Sequence, residues 1–231
     1  MTHTTPPPAK PPGASATRRR DPKATRDRLV RSALELFTTR GYHGTTTPLI
    51  AERAAVAEGT IYRHFDSKEH LLNEIYRAGV RLFAAAVRDA PPAEACRERL
   101  ERVAITWREI AVRNPAVVRL VFVNRLGDLL DQKSRDTARD FRSEVEKLIA
   151  SGKSAGQVRP GSVNLWADVW LELVGLMLER VASREWAPEI PAVQTMIDSA
   201  WGAIGLTAQQ PAAPPPPPAA APPGPPLPPS A

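Results

Sequence analysis

A short run of hydroxyl-bearing, aromatic and cationic side chains lies between Glu58 and Phe65. If this run is a helix, Ile61 and Phe65 share one face because they are four positions apart. The opposite face then carries hydroxyl groups, rings and a cation, from Thr60, Tyr62, Arg63 and His64. Such a helix buries little surface and offers hydrogen-bonding groups beside positive charge. The pattern therefore favours a helix that enters the major groove of DNA.

A second short helix is predicted immediately before this one. The run Pro48–Ala54 has apolar residues at helical spacing, and Thr47 is the predicted N-cap, with Pro48 at the first helical position. A tight break over Ala54–Ala57 separates the two runs. Two short helices joined in this way predict a helix-turn-helix.

Two longer helices are predicted to support this pair. The first begins at Asp21 or Thr25 and stops before Gly41, a residue suited to ending a helix. The second begins at Ser67 and ends near Asp89. Its length allows it to join the helix-turn-helix to the rest of the chain.

The residues Gly44 to Leu71 read GTTTPLIAERAAVAEGTIYRHFDSKEHL. This segment resembles the DNA-binding half of TetR-type (TetR/AcrR) bacterial repressors, and GTIYRHF followed by SKE is its most specific part. The resemblance implies an all-α fold. An N-terminal three-helix helix-turn-helix DNA-binding domain would be joined by a long helix to a helical regulatory and dimerisation domain.

Position within this motif predicts the first set of DNA contacts. Thr46 and Thr47 offer hydroxyl and amide groups to phosphate at the start of a helix. Thr60 is placed for a base edge or a thymine methyl group, and Gly59 allows close approach.

The resemblance implies three further phosphate ligands, Tyr62, His64 and Lys68. Arg63 is predicted to contact either a phosphate or a guanine. For Tyr62 a packed surface ring is the alternative, and for His64 an ion pair with Asp66.

The turn departs from the family pattern at two positions. Ala55 occupies a position where the family usually has Gly, so a left-handed conformation there costs about 1 kcal/mol. Ala57 stands where relatives often have Ser, and the missing hydroxyl removes about 1 kcal/mol of helix capping.

Positive charge is concentrated around the helix-turn-helix. From Thr17 to Lys68 there are 11 Lys and Arg against 6 Asp and Glu, which leaves 20 against 19 elsewhere in the chain. This asymmetry is expected of a surface that faces phosphates. The cluster Arg18, Arg19 and Arg20 is predicted to follow the DNA backbone or minor groove, with a solvated basic tail as the alternative.

Composition divides the chain into four parts. Residues 1–20 and the Pro-rich residues 207–231 are predicted to be disordered tails. Residues 21–66 form the predicted DNA-binding domain, and residues 67–206 the predicted ligand-binding and dimerisation domain.

The last two predicted helices carry more apolar surface than one core requires. The resemblance implies a homodimer through these helices, matching a two-fold symmetric operator. Burial of both stripes within one subunit is the alternative. The predicted interface residues are Val174, Leu178, Val193, Ile197 and Trp201.

Aromatic residues in the same region could surround a small molecule. The predicted effector pocket is formed by Trp107, Phe122, Trp166 and Trp170, although residues of this type are more often core.

Nothing in the sequence predicts catalysis, a metal or another cofactor. The four histidines lack metal-ligand spacing, and the single cysteine, Cys96, is predicted to be a small core residue. No apolar run is long enough to cross a membrane, so the protein is predicted to be cytoplasmic.

The sequence as a whole predicts a dimeric transcription regulator, in most cases of this kind a repressor. It would bind a double-stranded DNA operator and be released by a small, mainly apolar effector. One alternative is a DNA-binding regulator without a small-molecule effector. Another is a helical binding module whose helix-turn-helix is purely structural.

Overall fold

The computed structural model describes residues 21–91 and 95–206, and the fold is all-α, as predicted. Within these ranges the only β contact is an isolated bridge between Val158 and Gly205, and no helix is long and apolar enough to cross a membrane. The helices are α1 (Pro22–Thr39), α2 (Thr47–Arg53), a 3₁₀ helix (Glu58–Arg63), α3 (Lys68–Asp89), α4 (Cys96–Arg113), α5 (Pro115–Val118), a π-helical turn (Arg119–Val123), a 3₁₀ turn (Gly127–Leu129), α6 (Gln132–Ser154), α7 (Val163–Ala182) and α8 (Pro191–Ile204).

The predicted tails, residues 1–20 and 207–231, lie outside the described residues. The predicted DNA contacts of Arg18, Arg19 and Arg20 lie outside them as well.

Local sequence sets the ends of the supporting helices. Asp21 caps α1, since its carboxylate accepts the Lys23 N–H at 2.9 Å. Beyond the C-terminal end of α1, Gly41 takes a left-handed φ of +74°, which glycine adopts at little cost. Ser67 caps α3 by accepting the His70 N–H at 3.0 Å.

The predicted cap of α2 is wrong by one residue. The Thr46 hydroxyl, not that of Thr47, accepts the Leu49 N–H, at 3.4 Å. Thr47 is the first residue of the helix, and this leaves its own hydroxyl free to meet a different element.

An aromatic cluster fills the centre of the regulatory part. Trp107 is fully buried, and its ring centroid lies 5.4 Å from that of Trp170 and 5.8 Å from that of Phe122. Its indole N–H donates to the Phe83 carbonyl at 3.0 Å. These contacts make Trp107 and Trp170 part of a packed core.

A polar joint holds α3 against the beginning of α6. Arg77 is buried, and its guanidinium donates to the Asp131 carboxylate at 2.9 Å and to the Ser134 hydroxyl at 2.9 Å. Asn73, also buried, accepts the Asp131 N–H at 2.9 Å and donates to the Leu129 carbonyl at 2.9 Å. A buried guanidinium is tolerated here because its donors have fixed acceptors.

Cys96 is buried, as predicted, at the start of α4. Burial raises the pKa of its thiol to about 11. The thiol is therefore protonated near neutral pH, which does not suit a nucleophile.

Candidate nucleic-acid interface and regulatory groove

The predicted recognition helix is present, but it is a 3₁₀ helix over Glu58–Arg63 instead of an α-helix reaching Phe65. Ala57 at its start makes no side-chain capping bond, and the Thr60 N–H already bonds to the Ala57 carbonyl at 2.9 Å. Short helices often take this tighter form. Ile61 and Phe65 are both 1% exposed, which confirms them as the core-facing residues.

The turn before this helix contains the strained residue that the sequence indicated. Ala55 has φ +52°, in the left-handed region that a Cβ atom disfavours. Alanine in place of glycine at position 55 therefore destabilises the folded protein.

Replacing Ala55→Gly is expected to raise the free energy of unfolding by about 1 kcal/mol, because glycine adopts this φ without the Cβ penalty. Urea denaturation followed by circular dichroism measures the change. Ala54→Gly is the matched control: Ala54 is buried with φ −78°, so glycine there should destabilise the fold. Equal effects of the two substitutions would contradict the proposed strain.

The start of α2 and the C-terminal end of the recognition helix are linked through hydroxyl groups. Tyr62 is 55% exposed, and its hydroxyl lies 3.1 Å from that of Thr47. Thr46 is exposed beside them. Gly59 is also exposed, and a Cβ atom there would meet nothing within 4 Å. This face can approach another molecule closely and offers it several hydroxyl groups.

A cleft runs between the recognition helix and α1. Thr60, Arg63 and His64 line it from one side, and Thr25 and Arg28 from the other. No Asp or Glu is among the described residues that line it. Its electrostatic character therefore favours an anion such as phosphate.

Arg28 is a candidate DNA contact that the sequence did not predict. Along α1 it belongs to a solvated face that also carries other charged residues. Only the packing of α1 beside the recognition helix brings it to the same cleft as Arg63.

Lys68 is half-buried and makes contacts within the subunit. Its ammonium group donates to the Tyr42 carbonyl at 3.0 Å and the Thr45 carbonyl at 2.8 Å, and it lies 4.0 Å from the centre of the Tyr42 ring. Lys68 therefore holds the loop that leads into α2. Its predicted phosphate contact stays a prediction.

A groove of about 600 Å³ opens on the regulatory part between α3, the π-helical turn, α6 and α7. Of the predicted effector residues, only Phe122 lines it. Trp107 and Trp170 are buried and do not line this groove. Trp166 lies near the loop before α7, where its N–H donates to the Arg159 carbonyl at 3.2 Å. The four residues do not line one groove together, and their predicted effector role stays a prediction.

The predicted dimer interface also needs correction. Val174, Leu178, Val193 and Ile197 are between 0% and 4% exposed within a single subunit. Side chains buried in this way are unavailable to a partner, so these four residues are core. Trp201 is half-buried and packs against Gly205. The structure instead leaves a stripe of apolar residues at the surface of the same two helices, the α7/α8 stripe: Leu165, Val169, Leu176, Met196 and Ala203.

The family model for bacterial regulatory proteins of the tetR family matches residues 29–75, from α1 to the first part of α3. Over these residues the chain is therefore similar to the TetR family. It is also similar to the transcriptional regulator TcmR of Streptomyces glaucescens, with 41% identity over 83 residues. That match spans 36% of this chain and 37% of TcmR.

Solved structures extend the likeness to the fold of the regulatory part. A TetR-family transcription regulator from Marinobacter aquaeolei VT8 superposes with a TM-score of 0.69 over 79% of this chain and 96% of that chain, at 17% identity. The regulator FadR from Bacillus subtilis, solved with stearoyl-CoA, gives 0.62 over 75% and 96%, at 16% identity. The relatives are transcription regulators, in agreement with the prediction that this protein is not an enzyme.

Proposed function

We propose that the protein is a dimeric operator-binding regulator, a repressor that a small molecule releases from DNA. One observation supports this most strongly: α3 begins at Lys68 beside the DNA-binding helices and lines the regulatory groove through Tyr76 and Val80. A ligand in the groove therefore contacts α3, the helix that directly follows the helix-turn-helix. On this proposal residues 21–66 are the DNA-binding domain and residues 67–206 the regulatory domain.

The recognition helix supplies the sequence-specific contacts. Thr60 is directed to bases, while Thr46, Thr47, Tyr62, His64 and Arg28 hold phosphates. Fluorescence anisotropy with duplexes from the region flanking the protein's own gene tests this at two salt concentrations. Salt-sensitive binding with preference over random DNA is expected. Equal, weak binding to all duplexes would favour a purely structural helix-turn-helix.

Arg63→Ala is expected to weaken operator binding about tenfold and to reduce the slope of log affinity against log salt by about 1, if Arg63 contacts a phosphate. If Arg63 instead contacts a guanine, the variant should discriminate less between bases at one position of the operator. The slope of log affinity against log salt should then be nearly unchanged. Arg113→Ala, at an exposed arginine of α4, is the matched control. Equal losses in both variants would argue against a specific role for Arg63.

The α7/α8 stripe is the proposed dimer interface. Leu165, Val169 and Leu176 lie four and seven residues apart and so share one face of α7. Leu176 also lines the groove, so the proposed interface borders the proposed effector site. Leu165 is 52% exposed and Leu176 is 40% exposed, an unfavourable arrangement unless another apolar surface covers them. A second copy is the partner that also gives two recognition helices for the two half-sites of an operator.

The groove is the proposed effector site, and its volume suits a drug-sized molecule. A thermal-shift screen of small molecules followed by operator-binding assays tests this role. Ligands that raise the melting temperature should also weaken DNA binding, because a coupled ligand must favour one conformation. A protein that binds its operator but responds to no ligand would be a regulator without a small-molecule effector.

A further inference from the structure

The groove combines an apolar aromatic wall with a rim that carries negative charge. Phe122 and Phe141 form part of the wall, and their rings are held from behind by Trp107, at centroid distances of 5.8 and 5.6 Å. Gly175 leaves space on the α7 side, since a Cβ atom there would already lie 3.4 Å from the Phe122 ring. The wall is therefore preformed by packing.

Two carboxylates on α7 line the groove. Glu172 is exposed and Glu179 half-buried; neither side chain makes a hydrogen bond or a close ion pair with the described residues, and Glu179 interacts electrostatically with Arg180. Seven residues apart, they lie about 10 Å from each other on one face of the helix. Two carboxylates beside an apolar wall create a negative potential where a ligand would bind.

The one cation among the described groove-lining residues is already neutralised. Arg142 forms ion pairs with Glu146, at 3.0 Å, and with Asp168. The hydrogen bond with Asp168 is the main cause of the raised pKa of Arg142. This guanidinium is thus engaged by carboxylates of the protein and is poorly placed to bind an anionic ligand.

The side chain of Tyr76 also lines the groove. Tyr76 is 8% exposed, and its hydroxyl makes no hydrogen bond with the described residues. Burial raises the pKa of this phenol, so it stays neutral. This hydroxyl can donate a hydrogen bond to water or to a ligand in the groove.

We infer that the groove binds an organic cation with an apolar body, such as a lipophilic quaternary or protonated amine. This inference rests on the proposed effector role of the groove. Phe122 and Phe141 offer aromatic faces to the cation, and Glu172 and Glu179 supply opposite charge. An acyl-CoA, the ligand of the FadR structure, carries negative charge that this groove repels.

Tetraphenylphosphonium and tetraphenylborate test the inference, because the two ions share size and shape and differ in charge. Isothermal titration calorimetry with the full chain is expected to show about tenfold or greater preference for the phosphonium ion. The Glu172→Gln/Glu179→Gln variant should lose most of this preference. Glu109→Gln, on α4 outside the groove, should keep it. Gly175→Leu, which fills the groove, should abolish binding of either ion.

The possible results distinguish the cation inference from the proposed effector role of the groove. Equal affinities, or tighter binding of the borate, would overturn the cation inference while leaving the groove as an effector site. Binding of neither ion to the natural protein would overturn the cation inference, while the effector role would still be decided by the thermal-shift screen. Unchanged phosphonium binding by Gly175→Leu, in a protein with a normal circular dichroism spectrum, would place the ion elsewhere and also overturn the inference.

Discussion

The double substitution Leu165→Asp/Met196→Asp is expected to make the protein monomeric and to weaken operator binding by a factor on the order of 100. Each change places a carboxylate within the proposed apolar interface, where desolvation is unfavourable. A monomer engages one half-site at a time and loses the gain from simultaneous contact. Light scattering after size-exclusion chromatography measures the mass, and anisotropy measures DNA affinity.

Leu82→Asp/Val112→Asp is the matched control for this experiment. Leu82 on α3 and Val112 on α4 are also exposed apolar residues, 40% and 51% accessible, and lie outside the α7/α8 stripe. This control should remain dimeric with normal DNA affinity. A stripe variant that keeps its helical spectrum and remains dimeric would show that another surface joins the subunits.

Asp131→Ala is expected to lower the free energy of unfolding by about 3 kcal/mol. The substitution leaves the buried Arg77 guanidinium without its carboxylate. It also removes the N-cap of α6, where the carboxylate accepts the Ser134 N–H at 2.7 Å. Urea denaturation measures the loss. Asp136→Ala removes an exposed ion pair with Arg139 and should cost less than about 0.5 kcal/mol.

The Asp131 carboxylate is also expected to make the stability of the fold depend on pH. Burial acts to raise the pKa of Asp131, but hydrogen bonds from Ser134 and the pairing with Arg77 outweigh it, so the pKa lies below the ordinary value of 3.8. A lowered folded-state pKa gives stability that is present above pH 3.8 and lost as the pH falls through the lower folded value. The Asp131→Ala variant should therefore show a weaker loss of stability below pH 3.8 than the natural protein. Identical acid profiles would contradict this role.

The DNA-binding helices could be predicted closely because their signals are local. A cap, a proline and an apolar residue every three or four positions lie within a few residues of each helix. Gly41 and Ser67 mark helix ends in this way, and Ala55 could be identified as a site of strain from the family pattern. The 3₁₀ form of the recognition helix was missed because it depends on a balance of backbone bonds over six residues.

Burial in the regulatory region was harder to predict, because the sequence does not distinguish the buried apolar residues of α7 and α8 from the exposed ones. Val174 and Leu165 are both apolar residues of one helix, yet the first is 1% exposed and the second 52% exposed. Their burial depends on where α4, α6 and α8 cross the helix. The same is true of Trp107, whose surroundings come from α3, α6, α7 and the π-helical turn.

The sequence by itself determined the all-α class, the position of the helix-turn-helix and the likeness of that segment to the TetR family, because these rest on short-range spacing and on a specific string of residues. Tertiary structure alone decided which apolar stripe remains exposed, where the groove opens, and that Arg28 joins the basic cleft. These features depend on residues far apart in the chain that meet only when helices pack. The spacing of apolar residues specifies which residues share a face of a helix. The helices that pack against it decide which face is covered.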